Sequence, residues 1–261
     1  MAKKARTPTP PRRVQAPQRR DGKQPRQPGG GITISRNTLI GGGGALGVVI
    51  VAVILFFALS GGKSSAANVK ATMLAAGCTY QDKKPLPPRD AVKGSGGNFH
   101  ADVPTLTTPM KGLWSTFPPS GGGHYQLWAI WGFYTEPLNP RQVVHNMEHG
   151  AVVIWWGPKV SPATVAKLRA FYNEPISGGA GDGMMGTPLT SIAGKSLGDK
   201  IALTAWTALP GTYYVNGDYG IGHVAICPDF NEHAFDVFRD AYRGKGPEGI
   251  PLADDEPGMG P

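Results

Sequence analysis

The chain has 261 residues and a formal charge of +8, which invites a nucleic-acid reading until the charge is located. Residues 1–36 hold ten basic side chains against the single acid Asp21, whereas the rest carries 16 basic and 17 acidic residues, a net of −1. No nucleic-acid-binding face is therefore expected on the folded part of the chain.

Residues 1–37 are rich in Pro, Gln and Gly and have almost no bulky apolar residue before Ile32. Such a segment buries too little surface to offset the entropy of ordering, so a disordered basic cytoplasmic tail is expected, drawn toward anionic lipid. Residues 38–60 are expected to form one transmembrane helix. The stretch 39–59 holds no charged or strongly polar side chain, and as a helix it would span about 31 Å against a hydrocarbon core of about 30 Å. Gly41, Gly42, Gly43 and Gly44 weaken a helix in water but cost less in lipid, where unpaired backbone groups find no solvent. The excess of positive charge before this segment places the tail in the cytoplasm and the rest of the chain outside. A cleaved signal peptide ending near Ser65-Ala66-Ala67 is the alternative, although the apolar stretch and the charged region before it are both long for one. Either reading exports the remainder, and the bilayer is the first expected partner.

A linker is expected over 61–75, then an extracytoplasmic domain over 76–249 and a flexible tail over 250–261, the chain loosening from Gly244 onward. Cys78 and Cys227 are the only cysteines and form no CxxC, so in an oxidising compartment they read as one disulfide joining the start of the domain to its end. With 38 glycines and 25 prolines, long loops should connect short elements. β-Branched and aromatic residues predict a strand over 126–134. Asn139-Pro140 supplies a cap and a first-turn proline for a helix running to Gly150, a natural terminator. A strand follows over 151–156. Ser161-Pro162 opens a second helix, with Val165, Leu168, Phe171 and Tyr172 on one stripe. The glycine-rich stretch 177–187 reads as a loop into which Met184 and Met185 pack, and it lacks the ending of a phosphate-binding loop. Strands are expected over 200–208 and 222–226. Asp229 opens a third helix, boxed by Glu232, with Phe230, Ala234, Val237, Phe238 and Ala241 as its apolar face and Gly244 as its end. Helices and strands mix without a βαβ rhythm. The fold class is α+β, a compact mixed domain with a small sheet and about three helices, not a doubly wound one.

Six histidines occur, and two of them lie in the string His145-Asn146-Met147-Glu148-His149. Residues four apart share a helix face, so His145 and His149 can converge on one ion, with Glu148 on the adjoining face. His124, in the loop that begins at Pro118, is a third candidate ligand and His100 a weaker fourth. Imidazoles suit zinc, copper, iron or nickel, and three protein ligands leave a position for water. The string also matches the His-x-x-Glu-His signature of inverted zinc proteases, in which the glutamate activates water. A helix of about ten residues and a small domain count against that architecture. Against any metal stands a structural reading, in which the imidazoles cap carbonyls or pair with Glu148. His223 and His233 read as structural. The thioethers of Met147, Met184 and Met185 would favour cuprous copper but read first as packing. No Ser-His-Asp context is visible, and Trp114, Trp128, Trp131, Trp155, Trp156 and Trp206 read as core or rim.

Gly77-Cys78, then Pro118-Pro119-Ser120-Gly121 with His124-Tyr125, then Val144-His145-Asn146-Met147-Glu148-His149-Gly150, and then Ala205-Trp206 together resemble the bacterial domain-of-unknown-function family 3105. The likeness covers residues 75–249 and is most specific in the pairing of the loop with the histidine helix. The family's loop usually reads closer to Pro-Pro-Thr-Ser-Gly-Pro-His, and here Gly122 and Gly123 precede the retained His124. The resemblance implies an exported or membrane-anchored domain and supplies no reaction. It groups Ser120, His124, His145, Glu148 and His149 as one constellation. Three functions remain open at this point. One is a domain holding zinc or copper through His124, His145 and His149. The second is a non-catalytic envelope module with structural histidines and protein partners. The third is a metallohydrolase with Glu148 as its base.

Overall fold

The computed structural model describes residues 66–86, 110–176, 182–208, 220–252 and 258. The chain divides into two units, Met1–Ser60 and Gly61–Pro261, and all of these residues belong to the second. The tail and transmembrane helix expected over 1–37 and 38–60 lie outside them, and no described helix is long and apolar enough to cross a membrane.

Among the described residues nine elements follow one another: α1 (Ala66–Ala75), β1 (Thr79–Lys83), α2 (Pro140–Glu148), β2 (Val152–Trp156), α3 (Pro162–Tyr172), β3 (Met184–Pro188), β4 (Ile201–Thr207), β5 (Ile221–Cys227) and α4 (Glu232–Tyr242). The strands form one sheet in the order β1-β5-β4-β2-β3. Only β2 and β3 run parallel; the other neighbours are antiparallel. The fold is mixed α+β, as the irregular order of elements implies.

Alternation along the strands sends residues to two cores. Val152, Ile154 and Trp156 of β2 join Ile201, Leu203 and Ala205 of β4 on one face, where Leu168, Phe171, Phe235 and Phe238 of α3 and α4 cover them. Val153, Trp155, Ala202 and Trp206 point to the other face, against Val143, Val144 and Met147 of α2. The sheet is thus buried on both sides, with α2 enclosed by it and by loops; all nine residues of α2 are buried.

Several elements differ from expectation. The stretch expected as a linker carries α1, whose Val69 and Met73 sit one turn apart and fully buried in the first core. Residues 126–134 are not a strand. Their backbone wraps α2, and among these described residues only Phe133 makes a bridge, to Gly186 of β3. Met184 and Met185 belong to a strand, not a loop, and point one to each core. The third helix is capped by Asn231, whose side chain accepts from the Ala234 amide, so it starts later than Asp229 proposed. The chain does not loosen at Gly244: residues 244–249 pack against the end of α2. The disulfide Cys78–Cys227 is present and spans 149 positions. It lies just outside the first register pair, Thr79 with Ile226, and so ties the start of β1 to the end of β5.

Candidate metal centre

Helix α2 begins where Asn139 accepts a hydrogen bond from the Arg141 amide and Pro140 fixes the first turn. It ends where the His149 amide donates back to His145 and Gly150 takes a positive φ of 98°. His145 and Glu148 stand three apart and both face inward, 1% exposed each. Side chains of this helix then organise the loop that passes over it. Asn146 donates to the Ala129 carbonyl (2.8 Å) and accepts from the Ala129 amide (3.0 Å). His145 Nδ1 meets the Tyr125 carbonyl at 2.7 Å, while the Tyr125 amide donates to the Arg141 carbonyl.

His124 arrives from the other side on the glycine loop. Gly121 has φ 143° and packs so tightly on Trp206 that a β-carbon there would lie 2.8 Å from the indole. Ser120 rests on Gly222 of β5, where a β-carbon would meet its hydroxyl oxygen. The Ser120 hydroxyl pairs with Thr116 at 2.9 Å, so this residue builds the loop. His124 is fully buried, with Nδ1 2.8 Å from the Gly122 carbonyl and its ring against Trp206.

These bonds decide the tautomers. A carbonyl oxygen only accepts, so Nδ1 carries the proton in both His124 and His145. In the neutral rings Nε2 then presents a lone pair. Both Nε2 atoms face one oxygen, Oε2 of Glu148, at 2.9 Å from His124 and 3.7 Å from His145. Electron-rich atoms packed this closely repel one another unless a cation or a proton lies among them. Two ligand atoms about 2.0–2.1 Å from one ion at tetrahedral angles stand about 3.3 Å apart, and the observed separations bracket that value. Carbonyl-bonded Nδ1 atoms are also what orient imidazole ligands in metal sites.

The structure therefore groups the candidates differently from helical spacing alone. His124, His145 and Glu148 place ligand atoms within 4.8 Å of one another, and Glu148, His149 and Glu248 do the same. His149, on the cap residue of α2, turns its Nε2 to Glu248 Oε2 at 3.0 Å. Trp128 lies over both histidines of the helix, ring centroids 5.0 Å from His145 and 4.7 Å from His149. His100 lies outside the described residues. Glu248 was missed because it sits in a Gly-Pro-rich stretch that carries no periodicity; only its docking against Gly150 brings it near. Met147 receives the Thr204 hydroxyl at its sulfur, and Met184 and Met185 pack one into each core.

His223 takes the structural role expected of it. Its Nδ1 donates to Asp82 (2.6 Å), and its Nε2 meets the Thr207 hydroxyl (2.8 Å). Tyr242 stacks on the ring at 3.9 Å, and Tyr80 donates to Asp82 at 2.7 Å. The hydroxyl, imidazole and carboxylate thereby pin β1 to β5 and β4. His233, in the first turn of α4, is exposed.

No curated protein and no solved structure matches the chain. A family model described as "Protein of unknown function (DUF3105)" matches residues 113–251, which include every member of both histidine–glutamate groups. That match spans more than half of the chain, and the protein belongs to the DUF3105 family.

Proposed function

We propose that this domain holds a divalent transition-metal ion between His124, His145 and Glu148. The observation that carries the reading is the convergence of two Nδ1-protonated imidazoles on one carboxylate oxygen. Two imidazoles and a carboxylate suit zinc or ferrous iron better than cuprous copper, which prefers sulfur. The three side chains are no more than 1% exposed, so an ion there would be enclosed. That favours a tightly held ion over hydrolysis with Glu148 as general base, since the oxygen that would take a proton is the one facing both imidazoles.

The second reading is the bracing one, favoured by the same carbonyl contacts. A proton on His124 Nε2 in place of a metal would give a buried ion pair with Glu148 that fastens loop to helix. The full chain, purified without a His tag, decides between them by elemental mass spectrometry after reconstitution with zinc. At least one equivalent is expected, and one fewer in the His124→Gln/His145→Gln double variant while its circular dichroism is retained. A wild-type chain that binds no ion would leave the brace.

We also infer, from the apolar stretch 39–59 and the charge before it, that the domain is anchored to a cell membrane and exported; a disulfide is the pairing expected outside the cytoplasm. Its partners would then be the bilayer and other envelope proteins. The chain should stay with membranes through alkaline extraction, with its folded domain open to protease added outside intact cells. Release into the alkaline supernatant would remove the anchor from this picture.

A further inference from the structure

We propose that Glu148 bridges two metal ions, the second held by His149 and Glu248. This rests on the reading that His124, His145 and Glu148 hold the first. The two donor groups are not separate clusters: Glu148 belongs to both. A carboxylate can place one oxygen on each of two ions, and here Oε2 already faces His124 and His145.

Three further observations point to an ion on the second side. Glu248 Oε2 is buried and accepts no hydrogen bond among the described residues, yet it lies 3.0 Å from His149 Nε2. A contact that close without hydrogen-bond geometry is the relation between two ligands of a common ion. Second, the carboxylates of Glu148 and Glu248 lie within 4.8 Å of each other, a repulsion that a dication removes. Third, Glu248 is delivered by a docked segment. A β-carbon on Gly246 would lie 2.1 Å from the Glu148 carbonyl and 2.3 Å from the Gly150 amide nitrogen. The Gly244 amide donates to Gly150, and the Glu248 amide to Glu148. The glycine thus permits backbone to lie on backbone, and Glu248 is set opposite His149 by main-chain bonds.

The second site offers one imidazole and two carboxylates, a harder set that suits manganese, iron or zinc. Ions bridged in this way stand about 3.5–4 Å apart, close enough for their electron spins to couple.

The full chain, stripped with a chelator, would be titrated with zinc and its bound metal counted, then loaded with manganese for electron paramagnetic resonance. The expected result is two zinc equivalents in the wild type and one in both Glu248→Gln and His149→Gln. The manganese form should give a coupled spectrum in place of the resolved hyperfine pattern of isolated ions. One equivalent in the wild type, unchanged by Glu248→Gln and lost in His124→Gln, would overturn the bridge and leave the single site standing. Two equivalents with uncoupled spectra would also overturn it. No bound metal at all would remove the first site and this inference together. The manganese spectrum needs no variant, so a misfolded substitution does not spare the proposal.

Discussion

Asn146 shows how much of the site depends on a residue that would bind no metal. Its side chain satisfies both the amide and the carbonyl of Ala129, which are buried and have no strand to pair with. Asn146→Ala leaves two buried backbone groups unmet, at about 1–3 kcal/mol each, so a loss of about 2–6 kcal/mol is expected. Denaturant melts give the total, and hydrogen exchange at the Ala129 amide should accelerate. An unchanged amide would mean that the loop is held elsewhere. Because the same loop carries the Tyr125 carbonyl that orients His145, zinc affinity should fall with it. At this scale the histidine string showed half of the site. Four-residue spacing brought His145 and His149 to one side of α2, but their ring nitrogens are aimed by partners 20 and 99 positions away, Tyr125 and Glu248. Spacing within a helix carries no information about those partners, and it left Glu148, which belongs to both groups, in the role of a general base.

Among the elements, α2, α3, β2, β4 and β5 were legible because each carries a local physical signal. Asn139-Pro140 and Ser161-Pro162 cap their helices through side-chain acceptance of the Arg141 and Thr164 amides. The strands β2 and β4 are buried on both faces and read as continuous apolar runs. The failures have equally local causes. Residues 126–134 have strand composition, but α2 supplies polar side chains where a strand would need a neighbour's backbone, and propensity yields to that tertiary offer. Strand β1 has the opposite problem: Thr-Tyr-Gln-Asp-Lys shows no apolar alternation because it is a sheet edge with only Tyr80 partly covered. Strand β3 was hidden by Gly183 and Gly186, of which Gly186 is required where the Phe133 ring lies 2.3 Å from any β-carbon.

For the whole molecule, the open question is what keeps the polar edge strand β1 on the sheet. The disulfide answers in part: closing a loop of 149 positions contributes about 4–5 kcal/mol in the loop-entropy model. At the far end of β1 the answer is electrostatic. Asp82 and His223 are register partners, and their side chains meet at 2.6 Å. Burial alone would raise the Asp82 carboxyl, but hydrogen bonds from His223 and Tyr80, with the charges of His223 and Lys70, outweigh it and hold the group below its ordinary 3.8. Tyr242, pushed up to about 12 by burial, stays protonated and can donate to Tyr80, which in turn donates to Asp82. A carboxyl depressed on folding stabilises the fold above its unfolded value, and that stability is lost as pH falls through the folded value. The network should therefore hold β1 at neutral pH and release it below about pH 4. In chelator, to keep metal release out of the measurement, the wild type should lose melting temperature more steeply than Asp82→Asn between about pH 5 and pH 2. Asp82 is partly exposed, so solvent screening keeps the difference small, and the slope is a better measure than the absolute stability. Parallel curves for the two proteins would mean that the carboxylate adds nothing, and that the disulfide and the backbone ladder hold β1 unaided.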